Sequence, residues 1–257
     1  MGEQKRGHLE ATREVARIIR ERANVVAFTG AGISVEAGIP AFRGGQGLWE
    51  KYDPMEYAQI DAFLRHPEKV WTMLREMADV VFRAKPSPAH NALGAMERAG
   101  LLNAVITQNV DGLHQMGGNS NVIEYHGNHR RLKCLTCSRT SVFTEEAAKV
   151  RPYPTCEKCG TPLKPDAVFF GEPIPVQAIL RANHEVKSCK IMMIIGTSGV
   201  VYPAADIPFT AASEGATVVE INVSPTPFTS SITNHFLDGS ASTIMPGIMD
   251  ELGLKRD

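Results

Sequence analysis

Two Cys-x-x-Cys pairs constrain this chain more than any other feature. Cys134 and Cys137 form one, Cys156 and Cys159 the other, with residues 138–155 between them. That interval suits a four-cysteine zinc site, because each pair makes a tight knuckle that aims two thiolates at one tetrahedral ion. The opening stretch, "MGEQKRGHLEATREVARIIRERA", is too polar for a secretory signal. The cysteines are therefore assigned to metal rather than disulfides, and a cytoplasmic location is expected. Four thiolates fill the shell and leave no position for water or substrate, so the zinc is expected to be structural. The segment they bracket, about Leu132 to Lys164, is too short to bury a core of its own. Zinc binding, worth ~10–16 kcal/mol in small peptides, would supply that stability. The fifth cysteine, Cys189, precedes the apolar run "KIMMIIG" and reads as a buried structural thiol.

Outside the cysteine segment, buried-strand patterns alternate with helical ones. The strands are "NVVAFTG", "NAVITQN", "KIMMIIG" and "ATVVEIN". The clearest helix is "SPAHNALGAMERAG", with Ser87 as cap, Pro88 in the first turn and Gly100 as stop. Near the start, Ala11, Val15, Ile18 and Ile19 fall at helical spacing and predict an amphipathic helix lying on the core. Such alternation predicts an α/β fold, a parallel sheet with helices on both faces, plus a small inserted zinc-binding module. With 257 residues, 43% of them apolar and 21% charged, one large domain with an insert is expected. Residues 1–131 and 165–257 would form the sheet domain and 132–164 the zinc module, with part of a helical small lobe from about 35–85. The formal net charge of −1 gives no drive toward nucleic acid, and no apolar run approaches a membrane span. The basic stretch "HRRLK" (His129 to Lys133) reads as a solvated edge, with His129 a surface histidine.

The strand ends carry the functional signal. The first strand runs into Gly30-Ala31-Gly32-Ile33-Ser34 and the second into Gln108-Asn109-Val110-Asp111-Gly112. The third ends in Gly196-Thr197-Ser198 and the fourth in Asn222-Val223-Ser224. Ligands of open α/β sheets sit outside the carboxyl ends of the strands. Four clusters of small or amide-bearing residues there predict a nucleotide site, although turns use the same residues. Gly30 and Gly32 permit close backbone approach to a diphosphate. The third glycine arrives late, at Gly38, so the loop is not the standard G-x-G-x-x-G. Arg43 either neutralises phosphate or is a surface arginine. His126 precedes Cys134 by eight residues, but the filled shell does not need it as a ligand.

"GAGIS…GIPAFR", "TQNVDGLH", "YHG", the paired Cys-x-x-Cys, "FFGE", "GTS" and "IN" follow one another as in sirtuins, and the chain resembles that family from roughly Asn24 to Pro246. Its length resembles a prokaryotic-like catalytic core. The resemblance implies an NAD-dependent protein lysine deacylase with a Rossmann-like large domain and a small zinc-bearing one. The acyl-lysine oxygen would attack the ribose carbon bearing nicotinamide. His126 would then act as general base on a ribose hydroxyl, giving free lysine, nicotinamide and O-acyl-ADP-ribose. An imidazole suits that role because its ordinary pKa of about 6.5 lies near working pH.

Asn109 and Asp111 match the nicotinamide pocket, Gln108 a ribose contact, and Phe42 the aromatic that shields the sugar carbon from water. Gly196, Thr197 and Ser198 would hold phosphate or ribose, Asn222, Val223 and Ser224 the adenosine ribose. Ala241 would lie beside adenine or simply pack. Val168, Phe169 and Phe170 would line an apolar acyl channel, with a buried strand as the alternative. "FFGEP", including Gly171 and Glu172, and "GVVYP", including Val200 and Val201, resemble the two segments between which an acyl-lysine peptide adds as a strand.

Leu74 and Met77 occupy the positions where carboxylate-selective members carry tyrosine and arginine. Neutral acyl groups are therefore expected, unless Arg65 or Arg75 serves instead. Gly199 stands where leucine is usual and would widen the acyl end; Ala41 also departs from the pattern. The alternatives are mono-ADP-ribosyl transfer at the same site, an NAD-dependent dehydrogenase with structural zinc, and a zinc-lobe binding module without turnover.

Overall fold

The computed structural model describes residues 2–40 and 48–255. In chain order its strands are β1 (Val25–Thr29), β2 (Leu102–Thr107), β3 (Val122–Glu124), β4 (Gly127–Cys134), β5 (Thr140–Val142), β6 (Leu163–Ala167), β7 (Ile191–Ile195), β8 (Thr217–Asn222) and β9 (His235–Asp238). The large sheet has the order β3-β2-β1-β7-β8-β9, and every pairing in it is parallel. The four strands expected from the sequence are its centre; β3 and β9 add one at each edge. The order reverses between β1 and β7, which opens a crevice at their carboxyl ends.

Side-chain alternation explains why these strands lie in the middle. On β1, Val25 and Ala27 face one core and Val26 and Phe28 the other, so a two-residue period with apolar groups on both sides requires cover on both faces. The first face packs helices Gly2–Arg22, Pro88–Arg98 and Ala241–Leu252 through Val15, Ile19, Leu93, Met96, Met245 and Ile248. The other packs Val176–Ser188 and Asp206–Ser213 through Ala182, Val186, Ile207 and Ala211. The amphipathic first helix and the buried Cys189 are as expected. Gly100, at φ +71°, ends the Pro88–Arg98 helix.

A third core joins the helices between Ile60 and Arg83 to the antiparallel sheet β5-β4-β6. Trp71 anchors it: its ring meets Phe143 edge-on at 5.6 Å, and its Nε1 donates to the Leu163 carbonyl at 2.9 Å. This small sheet extends beyond residues 132–164 at both ends. Among the described residues no helix is long and apolar enough to cross a membrane.

Candidate active site and metal centre

The four cysteines converge. Their sulfurs lie within 4.8 Å of one another, with Cys137 and Cys156 Sγ 3.7 Å apart. A tetrahedral ion with Zn–S bonds of ~2.3 Å requires sulfurs about 3.8 Å apart, so the set fits zinc. Both knuckles are built alike. Ser138 N donates to Cys134 O and Gly160 N to Cys156 O, and Ser138 and Gly160 both take positive φ, +59° and +68°. His126 and His129 lie outside the cluster.

The predicted cofactor residues meet at the carboxyl ends of β1, β2, β7 and β8. Asn109 Nδ2 donates to Gly30 O at 2.9 Å and to Ser34 Oγ at 3.2 Å. Ser34 Oγ donates to Asp111 Oδ2 at 2.8 Å, and Leu113 N donates to Asp111 Oδ1 at 2.9 Å. Burial pushes the Asp111 carboxyl up, while those two donors hold it down. Gln108 Nε2 donates to Thr197 Oγ1 at 2.9 Å, and Asn222 Nδ2 to Thr197 O at 2.8 Å.

Ala31, Ile33 and Ser34 lie in a short 3₁₀ segment, Ala31–Ala37, with Ile33 and Ser34 buried. Val223 and Ser224 are exposed, Ser198 is exposed beside the half-buried Gly196, and Ala241 is buried in the core at a helix start. Phe42, Arg43 and Ala41 lie outside the described residues.

The glycines serve loop packing within the protein. A Cβ on Gly30 would sit 2.7 Å from Thr197 Cβ, and one on Gly32 2.7 Å from Gly196 Cα. Gly32 N also donates to Gly196 O at 2.7 Å. The loops after β1 and β7 touch backbone to backbone, which only residues without side chains allow.

His126 follows β3 and is half-buried beside the Tyr125 ring. Its Nδ1 lies 3.1 Å from the Gln108 carbonyl. A carbonyl can only accept, so Nδ1 carries the proton and Nε2 keeps its lone pair. Burial lowers its pKa, partly opposed by that same bond. Val168 N donates to the His126 carbonyl at 2.8 Å, which brings the predicted acyl-channel segment directly against the histidine. Phe169 is buried and Phe170 exposed. Phe170 is pinned by its N–H on Ala58 O and by Ile60 N on its own carbonyl. Glu172 braces this turn from within: Oε2 accepts from Phe169 N at 2.8 Å and pairs with buried Lys164 at 3.0 Å. Gly171 sits at φ +86°. Val200 is exposed and Val201 half-buried.

Three expectations are corrected. Gly199 does not leave open space, because a Cβ there would lie 2.7 Å from the fully buried Phe228 ring, which fills it. His129 is buried rather than superficial, 1% exposed, and stacks near Phe143. The "HRRLK" stretch is not a solvated edge either: Arg131 pairs with Glu124 and Asp166, Lys133 with Asp166, and Arg130 bonds backbone carbonyls. Leu74 is buried in the third core and Met77 packs on it. Arg75 donates to Val150 and Pro152 carbonyls, and Arg65 faces Asp61.

Sequence reasoning missed a polar chain under Asn109. Asn109 N donates to Thr107 Oγ1, which lies 2.8 Å from Thr29 Oγ1, itself 2.9 Å from His114 Nε2. Its signal was faint: Thr29 and Thr107 are polar last residues of apolar strands.

The model of the Sir2 family matches residues 30–203. The NAD-dependent protein deacylase of Pyrococcus abyssi is 45% identical, covering 93% of this chain and 97% of its own. NAD-dependent protein deacylase 2 of Archaeoglobus fulgidus is 44% identical over 93% and 95%. Among solved structures, a Sir2 homolog–NAD complex superposes with TM-score 0.88 at 41% identity, covering 93% of each chain. A Sir2 protein with deacetylated p53 peptide and 3'-O-acetyl ADP ribose does so with TM-score 0.88 at 34% identity, over 94% and 98%. Matches of this extent make the chain a member of the Sir2, or sirtuin, family.

Proposed function

We propose that this protein is an NAD-dependent protein lysine deacylase acting on neutral acyl groups, with His126 Nε2 as the general base. The observation that carries the reading is the double tether of His126. Its ring is held through Nδ1 by Gln108 O, on the cofactor side, and its carbonyl by Val168 N, on the acyl side. One residue thereby joins two predicted subsites, and the proton held on Nδ1 leaves the lone pair on Nε2 for a base.

Bound NAD supplies an electrophilic ribose carbon with nicotinamide as leaving group. The chain's residues supply the rest. Asp111, oriented by Ser34 and Leu113, accepts from a carboxamide N–H. Asn109 and Gln108 fix the loops that surround the ribose, and Asn222 ties in the adenosine side. Val168 and Phe169 give a neutral acyl chain an apolar path, and the absence of a carboxylate partner at Leu74 and Met77 disfavours succinyl groups. The peptide adds between the Phe169–Glu172 turn and Val200–Val201, reading backbone more than side chains. Zinc at Cys134, Cys137, Cys156 and Cys159 stabilises the small sheet and takes no part in the chemistry. The small sheet and its zinc loops, residues 127–167, with the helical segment packed on them, act as the small unit of a two-unit enzyme. Five unpaired cysteines suit a reducing compartment, the cytoplasm.

The test is peptide mass with and without NAD, using acetyl-, longer neutral acyl- and succinyl-lysine peptides. Loss of neutral acyl groups with one nicotinamide released per turnover, and little succinyl loss, is expected. Reduction of NAD without acyl loss, or a mass gain of ADP-ribose on the peptide, contradicts the reading.

A further inference from the structure

Arg130 lies on β4, away from the strand ends, and no step described above uses it. Its half-buried side chain nevertheless reaches the turn that carries Asp111. Nε donates to Asp111 O at 2.7 Å, and Nη2 donates to Val81 O at 2.8 Å. The Val81 carbonyl belongs to the last turn of the helix Pro67–Arg83, where four carbonyls lack helical partners and a positive charge is favoured. Between these two bonds the side chain runs directly against Gly112. A Cβ on that residue would lie 2.9 Å from Arg130 Cδ, and its φ of +74° independently calls for glycine.

The backbone beside Arg130 also grips this turn, because His129 N donates to Val110 O at 2.7 Å, while Arg130 N donates within β4 to Asn128 Oδ1 at 2.7 Å. Val110, Asp111 and Gly112 are thus all contacted from Asn128–Arg130. The guanidinium charge also acts on the Asp111 carboxyl and favours its ionised form against burial. A planar fork that satisfies two carbonyls from different elements is a task for arginine; a lysine ammonium is a compact point charge without that fixed geometry.

We infer that Arg130 is a positioning residue for nicotinamide recognition: it locks the Asp111–Gly112 turn to the end of the Pro67–Arg83 helix and so fixes the Asp111 carboxylate toward the carboxamide. This rests on the reading of Asp111 given above. A purely structural residue would loosen peptide and NAD binding together, whereas a positioning residue on the nicotinamide side separates them.

The experiment compares Arg130→Met, Arg130→Lys and Asp111→Asn as full-length zinc-loaded protein. It measures KM for NAD, KM for an acetyl-lysine peptide, and the nicotinamide concentration giving half inhibition. For Arg130→Met, NAD KM and the half-inhibiting nicotinamide concentration should each rise about tenfold, the scale of one lost charge-assisted hydrogen bond. Peptide KM should stay within about twofold, and Arg130→Lys should fall between. If both NAD and nicotinamide values stay within about twofold in Arg130→Met while Asp111→Asn raises them, the inference is overturned and the reading of Asp111 stands. Unchanged values in Asp111→Asn overturn that reading and the inference with it. Should Arg130→Met fail to fold, Arg130→Lys decides: selective weakening of NAD and nicotinamide supports the inference, and no change or an equal rise in peptide KM overturns it.

Discussion

At the scale of single residues, the proposed base His126 carries a pH prediction. Burial holds its folded pKa below the ordinary histidine value of 6.5, and a general base must be neutral to work. The rate of acyl transfer should therefore be flat through neutral pH and fall only on the acid side, below 6.5, as pH drops through the lowered pKa. A pH profile of kcat/KM for peptide checks this; an inflection above 6.5 contradicts it. Gly199 gives a second prediction. Replacing it by leucine meets the Phe228 ring and a backbone at φ +68°, and overpacking with strain of this kind costs roughly 1–3 kcal/mol. Urea unfolding of Gly199→Leu checks this, and a midpoint equal to wild type would contradict it. The pair of Gly199 and Phe228 also shows where reading residues in sequence stops: residue 199 alone suggests an opening, and only its neighbour 29 positions on reveals that the volume is already taken.

The elements differ in how legible they were. Apolar runs such as Ile191–Ile195 and Val25–Thr29, buried at every position, declare a central parallel strand directly. Val122–Glu124 and His235–Asp238 are too short for a two-residue period to stand out, and they became strands because a longer neighbour offered its edge. Cysteine spacing foretold the knuckles, but not that β4 would carry Arg130 against the Asp111–Gly112 turn. Nor did composition separate Glu220 from a surface acid. It is fully buried on β8 and accepts from the hydroxyls of Thr226, Thr229 and Thr233, which fold the following loop back on it. Metal removal tests the small sheet as an element. Chelation should abolish deacylation and expose Trp71, whose fluorescence reports the third core once Trp49, the other tryptophan, is replaced by Phe, while the large sheet keeps its far-ultraviolet signal. Loss of both signals together would contradict a separately stabilised small lobe.

For the molecule as a whole, buried histidines link folding to pH. Burial pushes His90 down to about 4 and His129 down to about 3, and His114 well below 6.5. Both His129 nitrogens, and Nε2 of His90, lack protein partners, so a charge there would go uncompensated. The unfolded chain binds these protons near pH 6.5, whereas in the folded one His90 takes its proton only near pH 4 and His129 only near pH 3, and His114 only well below 6.5. Their contribution is complete above pH 6.5 and is lost as pH falls, at up to about 1.4 kcal/mol per unit for each histidine. His129→Phe should lose less stability than wild type between pH 7 and 5 in urea titrations; an identical loss would remove His129 from the account.

The most direct test concerns when His126 acts. If it is a base needed after nicotinamide has left, His126→Ala should still exchange labelled nicotinamide into NAD in the presence of acetyl-lysine peptide. Acetyl loss should fall by roughly 10²–10⁴-fold, the scale of a general base. Zinc content and folding should match the wild type. Equal loss of exchange and deacetylation in folded variant, or retention of both, would contradict the assignment of His126 Nε2 as the base.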